Sequence, residues 1–321
     1  KIKMINGHGD DLYRYKDGIK YNFSSNVYYK GCSPRLIKVL EGAVGLIQNY
    51  PSPSANELNI LAGQYFNLSK QQFLFTNGAT EAFYLIAQHY RDKSATIVGP
   101  TFSEYEDACK VNSIKYNFIS CSEIKGFEFT TDLVFICNPN NPDGTILQKE
   151  QIEQLVVQFP ETHFIIDEAY IEFTSAIETS LGLIAFYKNI SIVRSLTKTF
   201  AIPGVRLGYI VSNSEFISDL LTIKMPWTVN SLAVEAGRYI FENYKSLTFD
   251  ISLLLKETQD FKAKIDMIDY LEVVAGFTTY FLVRLKKGKA SDLKKYLAET
   301  YQILIRDATN FTTLNGEYVR F

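Results

Sequence analysis

Cysteine and histidine are scarce in this 321-residue sequence, which argues against a disulfide-stabilised protein and against a metalloenzyme. None of the cysteines forms a Cys-x-x-Cys pair, and the histidines lack the spacing of metal ligands. Scattered single cysteines are typical of reduced thiols rather than of a disulfide framework. We therefore expect a cytoplasmic protein without a metal site. The residues concerned are Cys32, Cys109, Cys121 and Cys137, and His8, His89 and His163.

Long apolar runs and an excess of charge of one sign are missing as well. No stretch approaches the roughly 18 apolar residues of a membrane span, and because the first residues form no apolar run we expect no signal segment there. The formal net charge is −2 and the pI is about 6.0, unlike a nucleic-acid binder or a binder of anionic membranes. Hydrophobic residues make up 46% of the chain, enough for a sizeable core. We therefore expect a globular protein that binds neither nucleic acid nor a membrane.

From Phe73 onward, short apolar segments alternate with segments of helical spacing. Near-continuous apolar strands are typical of a mainly parallel sheet that helices cover on both faces. The pattern therefore predicts an α/β fold with a mainly parallel seven-stranded sheet in a large domain. The predicted strands are residues 73–76, 95–98, 115–119, 133–137, 163–166, 190–195 and 207–211.

After Ser212 the pattern changes to a long helical region and then to a smaller α+β segment. The helical region is predicted to run to about Asp266, and short strands and one helix follow it. We expect a domain boundary near residue 230. The predicted parts are an N-terminal arm (1–30) that packs on the small domain, a large domain (31–230) and a small α+β domain (231–321).

Residues with useful chemistry follow the predicted strands at their carboxyl ends, where open α/β sheets bind ligands. The first strand leads into a helix through Ala79 and Thr80, whose backbone N–H groups are accessible to a phosphate. Phe102 follows the second strand, where it either stacks on a ligand ring or packs in the core. Asn141 lies in the turn after the fourth strand. These positions predict one binding site along this edge of the sheet.

Residues 192–209 contain a hydroxyl, an amine and a fixed cation, namely Ser195, Lys198 and Arg206. A lone lysine after a buried strand is usually a solvated loop residue, and an arginine here has a structural salt bridge as its alternative role. Together the three groups suit one phosphate-bearing aldehyde, because an amine condenses with the aldehyde while a hydroxyl and a cation bind the phosphate. The segment therefore predicts pyridoxal 5′-phosphate as the cofactor and Lys198 as the catalytic residue that forms the Schiff base.

Pyridoxal phosphate also needs a carboxylate at its ring nitrogen and donors at its phenolate oxygen. Asp167 and Glu168, at the end of the fifth predicted strand, are both chemically suitable. Adjacent strand residues point to opposite faces, so only one of the two faces the ring. Asn141 and Tyr170 are suitable donors for the phenolate oxygen.

Five motifs along nearly the whole chain resemble those of fold-type I pyridoxal phosphate enzymes of the class I/II aminotransferase family. They are residues 77–81, 138–142, 167–170, 195–198 and 206–209. The most similar branch contains the histidinol-phosphate aminotransferases and the threonine-phosphate decarboxylases. The resemblance implies that Asp167 faces the pyridine nitrogen and that Phe102 stacks on the ring. It also implies a homodimer in which Tyr50 reaches the cofactor phosphate of the neighbouring subunit.

Three segments resemble the decarboxylases of this branch more than its aminotransferases. They are His8-Gly9, residues 23–26 and residues 225–233. The resemblance implies that His8 and Gly9 bind the substrate phosphate. Taken alone, a His-Gly pair near a terminus is more typical of a frayed polar arm.

The same resemblance assigns further residues to the substrate. Arg306 and Arg320 correspond to two arginines that hold its anionic ends, and Asn26 and Asn141 are available to the rest of it. The expected reaction is decarboxylation of L-threonine O-3-phosphate to (R)-1-aminopropan-2-yl phosphate, a step of cobalamin biosynthesis. The alternatives are a histidinol-phosphate aminotransferase or a related aminotransferase, and a non-catalytic regulator that binds the cofactor on the same fold.

Overall fold

The computed structural model describes residues 11–15 and 18–321, so His8 and Gly9 lie outside the described residues. Its strands are β1 Tyr21–Asn22, β2 Phe73–Thr76, β3 Ser94–Gly99, β4 Lys115–Ser120, β5 Leu133–Cys137, β6 His163–Asp167, β7 Ile190–Ser195, β8 Gly208–Val211, β9 Leu271–Val273, β10 Leu282–Leu285, β11 Ile303–Leu304, β12 Arg306–Asp307 and β13 Tyr318–Arg320. Its α-helices are α1 Pro34–Gly42, α2 Asn56–Phe66, α3 Gly78–His89, α4 Glu104–Val111, α5 Lys149–Gln158, α6 Leu196–Thr199, α7 Ser214–Ile223, α8 Ser231–Leu247, α9 Ile251–Asp266 and α10 Ala290–Tyr301. None of the helices in this part of the chain is long and apolar enough to cross a membrane.

Seven strands form one sheet in the order β2-β8-β7-β6-β5-β3-β4. Strand β8 runs antiparallel to both of its neighbours, and the other paired strands are parallel. Every residue of the central strands β5, β6 and β7 is buried, as expected for apolar strands covered on both faces. The predicted α/β fold with a mainly parallel seven-stranded sheet is confirmed.

The carboxyl ends of the central parallel strands lie level at one edge of this sheet. The register pairs Cys137 of β5 with Asp167 of β6, and Asp167 with Val193 of β7. Residues that directly follow these strands therefore meet in space, although they are far apart in the sequence. This edge is where the candidate site is found.

A second sheet lies in the C-terminal part and is antiparallel, in the order β12-β13-β10-β9. Its core includes Ile265, Phe281, Val283, Ile305 and Val319. Strand β1 pairs in parallel with β11, and the ring of Phe23 packs against those of Phe261 and Phe321. The described part of the N-terminal arm therefore contacts the C-terminal part of the chain.

Helix α8 begins just beyond residue 230, where we expect the domain boundary. It packs against α1 and α2, which belong to the large part of the fold. Its buried side chains share a core with Phe75 of β2 and Tyr209 of β8. The division at residue 230 remains a prediction, and the structure adds that α8 contributes apolar side chains to the core around the large sheet.

Candidate active site

One cavity at the carboxyl edge of the large sheet brings together nine of the ten residues predicted to bind the cofactor. Five parts of the chain contribute them, namely the start of α3, the ends of β3, β5 and β6 with the segments that follow them, and the region from β7 to β8. The nine residues are Ala79, Thr80, Phe102, Asn141, Asp167, Tyr170, Ser195, Lys198 and Arg206. Their convergence supports the prediction that strand ends build one site.

Two glycines allow the start of α3 to lie close to Arg206 and β8. Gly78 has φ +73, and a Cβ atom there would clash with the Arg206 guanidinium. A Cβ atom on Gly208 would lie 2.6 Å from the backbone nitrogen of Ala79. Helix N-termini favour anions because of their unsatisfied N–H groups and the helix dipole. The helix start and the guanidinium therefore form a cradle that fits the phosphate of pyridoxal phosphate.

Arg206 has the features of an anion ligand rather than of a structural salt bridge. Its Nη1 atom donates to the Pro203 carbonyl over 3.3 Å, and among the described residues it forms no ion pair with a carboxylate. Its backbone has φ +64, a left-handed conformation that is uncommon for a residue with a side chain. The turn therefore aims this cation at the cavity.

Lys198 lies in α6, the short helix that directly follows β7. The hydroxyl of Ser195 accepts from the backbone N–H of Thr197 over 3.3 Å and so caps this helix. The Lys198 carbonyl accepts from the backbone N–H of Tyr28 over 3.0 Å, which ties the N-terminal arm to the lysine turn. The lysine side chain lines the same cavity as Asp167.

The geometry separates the two adjacent acids that the residue chemistry alone left open. Asp167 lines the cavity, whereas Glu168 is fully buried on the other side. Glu168 accepts from Arg194 Nε over 2.9 Å and from the Thr179 hydroxyl over 2.7 Å. Of the pair, Asp167 is therefore the carboxylate in position to meet the ring nitrogen of the cofactor.

Burial raises the pKa of Asp167 to about 6, above its ordinary value. A hydrogen bond from the Tyr105 hydroxyl, a bond from the Ala169 backbone N–H over 2.9 Å, and the charge of Lys198 oppose this shift. The carboxylate is consequently ionised at neutral pH but is more basic than an exposed aspartate. Such a group is well suited to hold a proton on a pyridine nitrogen.

Tyr170 and Asn141 are both buried in the wall of the cavity. Burial raises the pKa of the Tyr170 phenol above its ordinary range, so the hydroxyl stays protonated and can donate a hydrogen bond. Asn141 Oδ1 accepts from Arg320 Nη1 over 2.6 Å. Because the amide oxygen accepts from the arginine, the amide nitrogen is left as the group that can donate a hydrogen bond to the cofactor.

A second cavity shares Phe102 and Asn141 with the first and contains Arg306 and Arg320. Both arginines are more than nine-tenths buried. Burial and the nearby charge of Arg320 together lower the pKa of Arg306 to about 10, so the group stays protonated at neutral pH. Burial also lowers the pKa of Arg320. Two neighbouring buried cations favour a ligand with several negative charges.

The two arginines are held by different contacts. Arg306 Nη2 donates to Asn310 Oδ1 over 2.8 Å, and its guanidinium lies over the Phe311 ring. Arg320 Nη2 donates to the Ser24 carbonyl over 2.9 Å, and its buried Nε atom has no hydrogen-bond partner within the described residues. A buried donor without a partner is costly. Arg320 therefore offers a hydrogen bond that a ligand can accept.

Two predicted site residues, Tyr50 and Asn26, lie apart from these cavities. Tyr50 is 86% exposed and packs against the Trp227 ring with a centroid distance of 5.3 Å. Asn26 is buried against Tyr170 and lines a separate groove between residues 20–29 and α9. His8 and Gly9 lie outside the described residues, so their assignment stays a prediction.

The sequence did not predict three residues that line the cavity or hold one of its side chains in place. Tyr105 donates to Asp167, and Cys137 and Phe83 line the cavity. Tyr105, at the start of α4, follows Phe102 by three positions, and the two rings pack edge to face with a centroid distance of 5.8 Å. That spacing is the signal that could have identified it.

A lysine, a buried carboxylate and a phosphate cradle around one cavity define a site for a phosphorylated aldehyde. The family model described as aminotransferase class I and II matches residues 18–321. The chain therefore belongs to this family, whose members are pyridoxal phosphate enzymes, and the predicted family and cofactor are confirmed.

Both branches named in the sequence resemblance occur among similar proteins. The crystal structure of L-threonine-O-3-phosphate decarboxylase from Porphyromonas gingivalis has a TM-score of 0.91 and 39% identity, and the match covers 94% of this chain and 93% of that one. Threonine-phosphate decarboxylase from Salmonella typhimurium is 29% identical over 315 residues, which cover 93% of this chain and 85% of the relative. The crystal structure of histidinol-phosphate aminotransferase from Clostridium acetobutylicum has a TM-score of 0.83 and 27% identity, with 94% and 93% covered.

Proposed function

We propose that this protein is a cytoplasmic, pyridoxal phosphate-dependent lyase that decarboxylates L-threonine O-3-phosphate to (R)-1-aminopropan-2-yl phosphate. The observation that carries the proposal is the cavity beside the cofactor site, where Arg306 and Arg320 are buried together. A phosphate, with close to two negative charges at neutral pH, suits a pair of buried guanidinium groups. Similarity to threonine-phosphate decarboxylases supports the same substrate.

Bound pyridoxal phosphate supplies an electron sink for negative charge that develops at the substrate Cα. We assign cofactor attachment and proton transfer at Cα to Lys198, because its amine lines the cavity. Asp167 would hold the proton on the ring nitrogen, and Phe102 would pack on the ring face. Asn141 and Tyr170 would donate to the phenolate oxygen.

The phosphate end of the cofactor is assigned to the cradle at the start of α3. The backbone N–H groups of Ala79 and Thr80 and the guanidinium of Arg206 provide donors there. The hydroxyl of Ser195 completes the set. These contacts hold the ring in a single position, so that the substrate can meet it in a defined orientation.

Substrate orientation selects the bond that breaks, because the Cα bond perpendicular to the cofactor ring is the one that is weakened. We assign both Arg306 and Arg320 to the substrate phosphate, and Asn141, which borders the same cavity, to the rest of the molecule. Asn26 faces a separate groove and stays a candidate contact for the rest of the substrate. With the phosphate held by the two arginines, the substrate carboxylate would be left without a cation to bind it and would be the group free to leave as carbon dioxide. His8 and Gly9 remain additional candidate ligands of the phosphate.

The enzyme loaded with pyridoxal phosphate should release carbon dioxide from L-threonine O-3-phosphate without any added 2-oxo acid. One aminopropanol phosphate should form per carbon dioxide, since decarboxylation returns the cofactor to its starting form. Release of labelled carbon dioxide from 1-¹⁴C substrate, together with mass analysis of the product, measures both quantities. A requirement for 2-oxoglutarate, with histidinol phosphate converted to its aldehyde and no carbon dioxide from threonine phosphate, would contradict the proposal.

Transamination of histidinol phosphate is the second candidate, and the similarity to the Clostridium acetobutylicum enzyme favours it. The same arginine pair suits the phosphate of either substrate. The two reactions are separated by the need for a 2-oxo acid. A non-catalytic regulator is less well supported, because Lys198 lines the cavity with Asp167.

We further propose that the protein is a homodimer in which Tyr50 completes the neighbouring site. Tyr50 lies on a surface with other exposed apolar side chains, among them Ile47, Met225 and Trp227, which are 66%, 71% and 48% exposed. Exposed apolar patches of this kind mark interaction sites. A tyrosine hydrogen bond to a phosphate contributes about 1.5–3 kcal/mol, so its loss should weaken cofactor binding measurably.

Mixing Tyr50→Ala and Lys198→Ala proteins should restore part of the activity at limiting cofactor concentration. In a mixed dimer, one site combines an intact Lys198 with an intact Tyr50, and the other site carries both defects. Activity is measured before and after subunit exchange, which native mass spectrometry monitors. If exchange proceeds and activity does not rise above the sum of the two variants, each subunit builds its own site.

A further inference from the structure

Tyr105 is one of the largest fully buried side chains of the protein and lies next to the cofactor cavity. The proposed mechanism gives it no role. Its ring stacks on Phe135 with a centroid distance of 5.1 Å and an interplanar angle of 3°. The edge of Phe83, which lines the cavity, packs against it with a centroid distance of 4.8 Å. The ring is therefore held in place by packing that does not involve its hydroxyl.

The Tyr105 hydroxyl donates a hydrogen bond to Asp167 Oδ2. The other oxygen, Oδ1, accepts from the backbone N–H of Ala169 over 2.9 Å. Each carboxylate oxygen thus has its own fixed donor, and the two donors come from different elements. A carboxylate bound in this way cannot rotate about its last bond without losing one of the two hydrogen bonds.

The environment keeps Tyr105 a donor. Burial raises the pKa of its phenol well above the ordinary value, and the charge of Asp167 raises it further. The same hydrogen bond lowers the pKa of Asp167, whereas burial raises it. The neighbouring Cys137 is a weaker influence, since its Sγ atom lies 4.0 Å from Asp167 Oδ2 and donates to the Pro139 carbonyl over 3.2 Å.

We propose that Tyr105 is a positioning residue for the cofactor, acting through Asp167. Its hydroxyl keeps the Asp167 carboxylate charged and turned toward the ring nitrogen, and so sets how strongly the ring withdraws electrons. The inference rests on the proposed role of Asp167, but it does not depend on which substrate the enzyme uses.

Tyr105→Phe in the cofactor-loaded enzyme tests this directly. Phenylalanine keeps the ring packing and removes only the donor, so Asp167 should lose its charge at a higher pH. A hydrogen bond to a charged group corresponds to a shift of about one pH unit or more. The absorbance of the bound cofactor, followed against pH without substrate, should show this upward shift in its acid transition. With substrate, kcat should fall at neutral pH while KM changes little, and the acid limb of the pH profile should move by the same amount.

Tyr209→Phe is the matched control, because Tyr209 is also fully buried and its hydroxyl has no hydrogen-bond partner within the described residues. It should leave the acid transition unchanged. A 3,5-difluorotyrosine placed at position 105 by codon suppression is a stronger donor and should shift the transition downward. Asp167→Asn sets the reference, because it should remove the transition altogether.

The spectroscopic readout separates this inference from the proposed reaction. If the transition stays at the wild-type pH in both Tyr105→Phe and the difluorotyrosine protein, Tyr105 has only a packing role. If it persists in Asp167→Asn, the assignment of Asp167 fails and the role of Tyr105 fails with it. Should the protein turn out to be an aminotransferase, the predicted shifts remain the same.

Discussion

Replacing Lys198 with alanine should abolish covalent attachment of the cofactor and nearly all turnover. The amine is the group assigned both to attachment and to proton transfer at the substrate Cα. Proton transfer by a positioned side chain alone typically contributes about 10²–10⁴-fold, so we expect a loss of at least that size. Borohydride reduction followed by intact-protein and peptide mass analysis should show the cofactor fixed on Lys198 in the wild type and no fixed cofactor in the variant.

Lys224→Ala is the matched control for this experiment. Lys224 lies near the mouth of the site, where its Nζ atom is 3.8 Å from Glu81, but it does not line the cofactor cavity. This variant should retain the reduced adduct and its yellow colour. An adduct of normal yield in Lys198→Ala would show that another amine holds the cofactor.

Replacing Arg306 or Arg320 with methionine should cost about 3 kcal/mol or more of transition-state stabilisation, roughly 10²-fold or more in kcat/KM. Methionine keeps much of the length of the side chain but removes the charge and the paired donors. Arg320→Lys should recover only part of the loss, because a lysine cannot present two parallel donors to a phosphate. Steady-state kinetics with L-threonine O-3-phosphate measures these effects.

A comparison of ligands shows whether the arginines act on the phosphate. Inorganic phosphate should inhibit the wild type competitively, and it should inhibit both methionine variants much more weakly. Arg238→Met is the control, since Arg238 forms surface ion pairs with Glu235 and Glu242 on α8. Equal inhibition of all four proteins would place the substrate phosphate elsewhere. Arg320 also contacts Asn141, which we assign to the cofactor, so cofactor affinity is measured for both variants. It should be unchanged in Arg306→Met, because Arg306 donates to Asn310 instead.

Local sequence patterns predicted the large sheet well because its strands are apolar on both faces. The strand expected at residues 133–137 is β5 with the same bounds, and the strand expected at 190–195 is β7. The last predicted strand begins one residue later than expected, at Gly208, where the start of α3 comes close to the backbone. Periodicity does not detect such an approach, since it arises from a neighbouring element.

Other features of the site depend on contacts between distant residues. The hydrogen bond from Tyr105 to Asp167 joins residues 62 positions apart, and that from Arg320 to Asn141 joins residues 179 apart. Tyr50 lies on an exposed surface of the single chain, and its proposed place in a neighbouring site would depend on a second subunit. Propensity and spacing describe only near neighbours along the chain, which is why these relations are not visible in a local pattern.

The sequence by itself determined the α/β class, the seven strands, the lysine turn around Lys198 and the set of groups that suits pyridoxal phosphate. Each of these follows from local patterns, namely the spacing of apolar residues and short motifs at the ends of the predicted strands. Only the tertiary structure placed Glu168 against Arg194, leaving Asp167 to the cavity, and brought Arg306 and Arg320 together beside Asn141. The physical reason is that the register of the sheets decides which distant side chains meet, and burial then decides their charge.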